Sequence, residues 1–259
     1  MGVQDISWVD LGLGYLLLVI PLLAFRYYQT GLVRSTLIAI ARMTVQLLLV
    51  GAYLGVIFRW NSAWVNILWV VAMVVVAAFT VVRRSELSRK LFLVPVLIAI
   101  AASVLLVDVY FLGVVVRLDF LFDARYFIPI TGMLIGNCLS NNIVALNTFY
   151  HSLSKEQTLY RFALANGATR NEALAGFMRE ALRKSLNPTI ATTAVVGLIS
   201  LPGMMTGQIL GGSNPEVAIK YQIMIMITIL VSTLLTVILS ILICNRFVFD
   251  GFGRLRTGK

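Results

Sequence analysis

Asn137 and Asn141 stand four residues apart inside a long apolar run, a spacing that puts both amides on one face of a helix. A carboxamide donates and accepts hydrogen bonds but carries no charge and is a poor nucleophile. Such a pair can hold a polar solute; it is not equipped to cleave one. The other polar groups near the middle of apolar runs are few: Arg42, Gln46, Asn142, Asn147 and Gln208. In oily surroundings these side chains are expected to face a protein interior or a water-filled path, and an arginine there is a functional candidate by default. Arg42 can equally snorkel to an interface or pair with Gln46. The candidate path is therefore Arg42, Gln46, Asn137, Asn141, Met204, Met205 and Gln208.

Metal chemistry has little to work with. Hard cations favour carboxylate or imidazole oxygen and nitrogen donors. The single histidine, His151, falls at the end of an apolar run, and the acid inside one is Asp108, near its far end. Met204 and Met205 are soft thioethers, better suited to copper(I) than to a hard cation, and residues of this type more often simply pack. Asp119 and Asp123 accompany Arg117 and Arg125 in what reads as a solvated loop. Cys138 and Cys244 fall within or beside apolar runs, as small packing residues rather than a disulfide. The metal ligands are left unassigned.

The surrounding chain explains why these groups stand out. Of 259 residues, 59% are hydrophobic and 12% charged, with a mean hydropathy of +0.92. A water-soluble domain carries roughly a quarter charged residues. Apolar runs of about twenty residues have the length of bilayer-crossing helices. The reading is an all-α polytopic membrane protein, 1–259 as a single transmembrane domain, with spans near 8–25, 35–58, 62–82, 91–112, 128–149, 190–211 and 221–244. The opening MGVQDISWVD lacks a basic region and a cleavage site, so the first run is expected to remain as a span. It also lacks the Ser or Thr expected after Gly2 for myristoylation.

Basic residues set the orientation. One alternating set of connections holds sixteen: Arg26, Arg34, Arg83, Arg84, Arg89, Lys90, Lys155, Arg161, Arg170, Arg179, Arg183, Lys184, Arg246, Arg254, Arg256 and Lys259. The other set holds four: Arg59, Arg117, Arg125 and Lys220. This predicts the N-terminus outside and the C-terminus in the cytoplasm of a multi-pass protein of the cell's inner membrane. The net charge of +10 then reflects that bias and contact with anionic membrane lipid, with no nucleic-acid partner.

One stretch looks water-soluble. Residues 152–188 read as a cytoplasmic helical hairpin, with capping boxes at Ser154/Gln157 and Thr169/Glu172 and a Gly167 turn. Asn187-Pro188 is expected to end its second helix. That helix carries an apolar stripe, Leu174, Phe177, Met178, Ala181 and Leu182. Either the stripe lies back on the protein's own spans or on headgroups, or it receives a partner. Beyond the hairpin, Gly203, Gly207 and Gly211 repeat every fourth residue, as Gly132 and Gly136 do in the preceding span; such faces are expected to pack closely. Pro202 is expected to kink or break its helix beside them.

The turn from Phe162 through Ala163, Asn166, Gly167 and Ala168 to Thr169 resembles the coupling loop of ABC-transporter permeases, an E-A-A-x-x-x-G pattern that fits a groove of the ATP-hydrolysing subunit. Arg161 and Phe162 stand where that pattern has Glu and its first Ala, and Phe177, Arg179 and Glu180 replace the usual I-x-L-P ending. The stretch Leu198-Ile199-Ser200-Leu201-Pro202-Gly203-Met204-Met205-Thr206-Gly207-Gln208-Ile209-Leu210-Gly211-Gly212, then Pro215, is similar to the FetB-type (UPF0014) permease family, as are Gly136-Asn137 and Asn141-Asn142. That family includes bacterial proteins linked to iron export and plant proteins linked to aluminium tolerance.

The resemblance implies the membrane subunit of an ABC transporter, a homodimer exporting iron or another metal. It implies a separate ABC ATPase subunit docked at Arg161, Phe162, Ala163, Asn166, Gly167, Ala168, Thr169 and Glu172. The chain contains no G-x-x-x-x-G-K-[ST] phosphate loop, so it is expected to be no enzyme and to hold no cofactor, with ATP and Mg on the partner. The alternative is an ATP-independent channel or secondary carrier for a small organic solute or metal chelate.

Overall fold

The computed structural model describes residues 5–250; the flanking residues, with Gly2 and the basic tail residues Arg254, Arg256 and Lys259, lie outside the described residues. The helices are α1 (Trp8–Tyr15) and α2 (Val19–Tyr27), joined by a tighter turn, then α3 (Val33–Trp60), α4 (Ala63–Arg84), α5 (Arg89–Asp108), α6 (Ala124–Lys155), α7 (Gln157–Ala165), α8 (Arg170–Val195), α9 (Gly203–Leu210) and α10 (Pro215–Val248). The chain is an all-α polytopic membrane protein. Among the described residues, six segments are long and apolar enough to cross a bilayer: Trp8–Tyr27, Val33–Trp60, Ala63–Arg84, Arg89–Val115, Ala124–Lys155 and Pro215–Val248. Beyond Asp108, α5 widens into a π-helical stretch, Val109–Val115.

The core is built by α4, α5, α6 and α10, with α8 laid against α6 and α10. Along α10 the residues Thr228, Ser232, Thr236 and Ser240 form a buried stripe, one residue per turn. Opposite small partners such as Ala99 and Ser103 on α5 are buried too. Small side chains let backbones approach where no hydrophobic effect drives helices together. The hydroxyls of Thr228, Ser232 and Thr236 donate back to carbonyls of Ile225, Ile229 and Ser232, so burying them leaves these donors satisfied. By contrast α1, α2 and most of α3 stand outside this core; Ile57 is the buried residue of α3. The tie is at one end, where Asn61 takes a left-handed conformation (φ 37°) and its Oδ1 accepts from the Ala124 amide at 2.9 Å.

Helices α6 and α10 run parallel. Tyr221 lies beside Tyr126 near their starts, the Thr236 hydroxyl oxygen lies 3.3 Å from Cys138 Sγ midway, and the Tyr150 hydroxyl donates to Asn245 Oδ1 at 2.9 Å near their ends. Between 155 and 215 the chain must therefore travel back along the bundle. The expected continuous span at 190–211 does not do this. The return is made by α8, a break at 196–202, and the short α9. Gly197 (φ 87°) turns the backbone out of the helix, its amide donates to the Ser200 carbonyl at 3.0 Å, and Pro202 is extended (ψ 145°). Pro202 thus marks the break that its missing N–H predicts.

Two local expectations fail. Ser154 caps nothing, because α6 continues to Lys155 and α7 begins at Gln157. Pro188 does not end the hairpin helix; α8 runs through it for 26 residues, from Arg170 to Val195. The carbonyl deprived of a partner belongs to Lys184, on an exposed turn that water can reach. Beyond the proline, the Thr192 and Thr193 hydroxyls donate to the Pro188 and Thr189 carbonyls.

The Thr169 cap forms as expected. Glu172 Oε2 accepts from the Thr169 amide and hydroxyl, both at 2.8 Å, and the Glu172 amide donates back to Thr169 Oγ1 at 3.3 Å. The bonds from the Thr169 backbone amide and then its hydroxyl hold the Glu172 carboxyl below the usual carboxylate range. A lowered carboxyl stabilises the fold above the ordinary carboxylate pKa, and that share is lost as pH falls through the lowered value. Thr169→Ala is expected to weaken the first turn of α8 by about 1 kcal/mol. Faster amide exchange at Asn171–Ala173, with the core amides unchanged, is the measurement that checks it.

Candidate solute path and docking hairpin

The broken return segment leaves space beside α10. Near the break is a cavity of about 450 Å³, lined among others by Thr193, Pro202, Met205, Gln222, Met226 and Ile227. A second, about 310 Å³, lies toward the hairpin between Asn137, Ser140 and Asn141 of α6, Thr189 and Thr192 of α8, and Met226 and Ile229 of α10. Met226 lines both, and Thr192 and Thr193 are adjacent, so the two hollows follow one another along α8. Asn141 Nδ2 donates to Thr189 Oγ1 at 3.0 Å, which pins the α8 wall to α6. Asn137 Nδ2 donates to the Met133 carbonyl at 2.9 Å, leaving its oxygen free to accept.

Of the path residues expected from sequence, Asn137, Asn141 and Met205 thus line this run of cavities. Met204 instead packs against the main core, and Gln208 lies half-buried on α9 without lining either hollow. Arg42 and Gln46 are exposed on α3, away from both. Within this single chain a side chain added at Gly203, Gly207 or Gly136 would meet nothing within 4 Å, and one at Gly211 would meet only α9's own backbone carbonyls. At Gly132 it would touch Met73 Sδ at 3.8 Å. Gly132 and Gly136 border a third, mostly apolar hollow between α4 and α6.

The sequence reading passed over Gln222, Thr189, Thr192, Thr193 and Met226. Gln222 is 6% exposed, and its Oε1 has no hydrogen-bond partner. It sits at the start of the last span, where a polar residue looks like a span end. The threonines at 189, 192 and 193 keep helical spacing, and that spacing was the available signal.

Among the described residues no three His, Cys, Asp or Glu side chains gather as a metal site. Asp108, 2% exposed, accepts from the Thr131 hydroxyl at 2.7 Å, while its other oxygen is unpartnered. Removing the one donor leaves the carboxyl with none. Thr131→Val is expected to destabilise the bundle by about 2 kcal/mol, and adding Asp108→Leu to recover most of that, because an apolar pair strands no polar group. Thermal unfolding in detergent checks both steps.

The hairpin's apolar stripe lies against the chain's own core: Leu174, Phe177 and Ala181 are buried, with Met178 and Leu182 partly so. Tyr160 packs on Phe249 at 5.9 Å between ring centroids, and the Arg170 guanidinium sits 5.6 Å from the same ring. What remains uncovered is the other side of α7. Phe162 is 66% exposed and Leu159 59%, flanked by exposed Arg161, Asn166, Thr169 and Glu172, with Ala163 and Ala168 half-buried. Gly167, at φ 88°, makes the turn between the helices; an L side chain there would be strained.

Residues 8–249 match the Uncharacterised protein family (UPF0014). The chain is 32% identical over 238 residues to the UPF0014 membrane protein YjkA of Bacillus subtilis, covering 91% of this chain and 93% of that one. It is 32% identical over 260 residues to the "Probable iron export permease protein FetB" of Escherichia coli, covering 98% and 97%. Protein ALUMINUM SENSITIVE 3 of Arabidopsis thaliana is 34% identical over 245 residues, covering 93% and 88%. No solved structure matches the chain.

Proposed function

Because this chain belongs to the UPF0014 family, we propose that it is the membrane-spanning permease subunit of an ABC transporter, exporting a solute through the hollows beside α8. One observation carries the reading: α8 is a single helix that runs from the hairpin turn to the break and lines both cavities on the way. At 1.5 Å per residue it is a rod about 39 Å long. A push at its capped end is delivered at the break, where the backbone has the fewest helical bonds to resist it. The exposed Phe162 and Leu159 offer the apolar surface on which a separate ATPase docks, supplying the ATP and Mg chemistry.

The basic residues of the hairpin and its neighbours support its placement in the cytoplasm, with the N-terminus outside and the inner membrane as location. Exposed Arg42 and Gln46 on α3 support a homodimer: facing lipid would be costly, and a second copy can cover them. The name of the Escherichia coli relative points to iron or another metal as cargo. Liposomes holding the chain with its ATPase partner test the reading. ATP-dependent solute movement away from the hairpin side is expected. Equal movement without ATPase or ATP would overturn it in favour of a secondary carrier.

A further inference from the structure

We propose that the connection between α4 and α5, together with the outward sides of those two helices beneath it, is a binding site for an anionic phospholipid. The inference rests on the membrane fold alone and holds whether or not the chain moves a solute.

Residues 83–90 read Arg-Arg-Ser-Glu-Leu-Ser-Arg-Lys, with cations at four positions and an acid at one. Arg83, Arg84, Arg89 and Lys90 are all exposed. Among the described residues the ion pairs are Glu180–Lys184 and Glu216–Lys220, so none of the four has an acidic partner. Two of them are placed unfavourably for the fold alone. Arg83 and Arg84 lie in the last turn of α4, where a cation suits the helix dipole, but Arg89 and Lys90 open α5, at its positive end. No acid stands in that first turn, and the Ser88 side chain makes no capping bond. A phosphate beside the connection offsets both the crowded like charges and the dipole, and guanidinium groups bond it strongly.

Depth and shape select a lipid over a soluble anion or an acidic protein. The Arg89 guanidinium folds back over the Phe79 ring, 4.8 Å from its centroid. Phe79 lies five residues before Arg84 on α4, about 8 Å deeper along the helix. That is about the thickness of one headgroup layer, so the guanidinium stands where headgroups give way to acyl chains. Below the cations each helix shows an apolar strip: Val76 and Phe79 under Arg83 on α4, Val94 and Ile98 under Lys90 on α5, all exposed. A phospholipid engages both parts, its phosphate at the cations and its chains along the strips. An acidic protein engages only the cations. Each basic residue near an anionic lipid surface is worth roughly fivefold in affinity, so removing two is expected to cost about twenty-five-fold.

The test uses the full chain, delipidated in detergent, with dioleoyl phosphatidylglycerol and dioleoyl phosphatidylethanolamine as probes. Native mass spectrometry reads the affinity for the first lipid bound. The wild-type chain is expected to bind phosphatidylglycerol at least tenfold tighter than phosphatidylethanolamine. Arg89→Gln combined with Lys90→Gln is expected to weaken phosphatidylglycerol at least tenfold. Arg179→Gln combined with Arg183→Gln removes the same charge from exposed positions on α8 and is expected to change it less than twofold. Glycerol phosphate, a headgroup without chains, is expected not to displace the lipid at hundredfold excess. Equal affinity for the two lipids, equal losses from the two double variants, or displacement by glycerol phosphate overturns the proposal. So does an Arg89→Gln/Lys90→Gln chain that loses a co-purifying ATPase and keeps its phosphatidylglycerol, because that outcome marks a protein dock. Should this variant fail to fold, Arg83→Gln combined with Arg84→Gln takes its place, and undiminished phosphatidylglycerol binding by it overturns the proposal.

Discussion

Phe162→Asp is expected to cost the chain its ATPase partner while leaving the membrane bundle intact. Phe162 is 66% exposed on α7 and makes no part of the core, so replacing it removes little internal packing. The change instead puts a carboxylate in the middle of the apolar surface that Phe162 and Leu159 present. Aromatic anchors at the centre of an interface commonly contribute about 2 kcal/mol or more, roughly thirtyfold in affinity. A buried unpaired charge makes the loss larger. Co-purification of the ATPase from detergent is therefore expected to fall at least thirtyfold, and ATP-driven flux with it. The melting temperature of the permease alone is expected to stay within about 2 °C, as for surface changes away from packed features. If Phe162→Asp retained full ATPase binding and flux, the docking surface would lie elsewhere.

The helices of this fold were legible in the sequence because hydropathy and length decide them. The predicted spans near 8–25, 35–58, 62–82, 91–112, 128–149 and 221–244 each fall on one of the long apolar helical segments, most of which extend a few residues further. What hydropathy could not resolve was the return segment. Residues 190–211 are apolar enough for one span, yet Gly197 and Pro202 interrupt the backbone, and α8 enters from the hairpin without stopping at Pro188. A local rule about the residue before proline is overridden where the carbonyl left without a partner lies on an exposed turn. The site was legible in part for a related reason. Asn137 and Asn141 stand out against an apolar helix. Gln222 and the α8 threonines lie near predicted span ends, where polar residues are ordinary. Arg42 and Gln46 stood out as strongly as the asparagines, but the single chain leaves them on an exposed helix. Spacing within one helix cannot tell which neighbour it will face.

The continuity of α8 yields the second large effect. Asn187 is exposed at the point where α8 passes from its hairpin half, anchored by Leu174, Phe177 and Ala181, to its cavity half, held by the Asn141–Thr189 bond. Asn187→Pro would place two prolines in succession, removing the amide that bonds the Arg183 carbonyl and pushing Leu186 out of helical geometry. Each half retains its own contacts, so the hairpin still docks and the cavities still form, but the rod between them is cut. The expected result is ATPase association within about twofold of wild type, continued ATP hydrolysis, and solute movement reduced at least tenfold. Asn187→Ala tests the alternative that position 187 itself touches partner or solute. Alanine favours the helix by a few tenths of a kcal/mol over asparagine, and this variant is expected to transport normally. A mechanism in which the ATPase acts through another segment, such as the end of α4 at Arg83 and Arg84, predicts the opposite for Asn187→Pro: hydrolysis and movement would stay coupled. Measuring both rates in the same liposomes distinguishes a severed lever from a lost motor, because only the severed lever lets hydrolysis run on without transport.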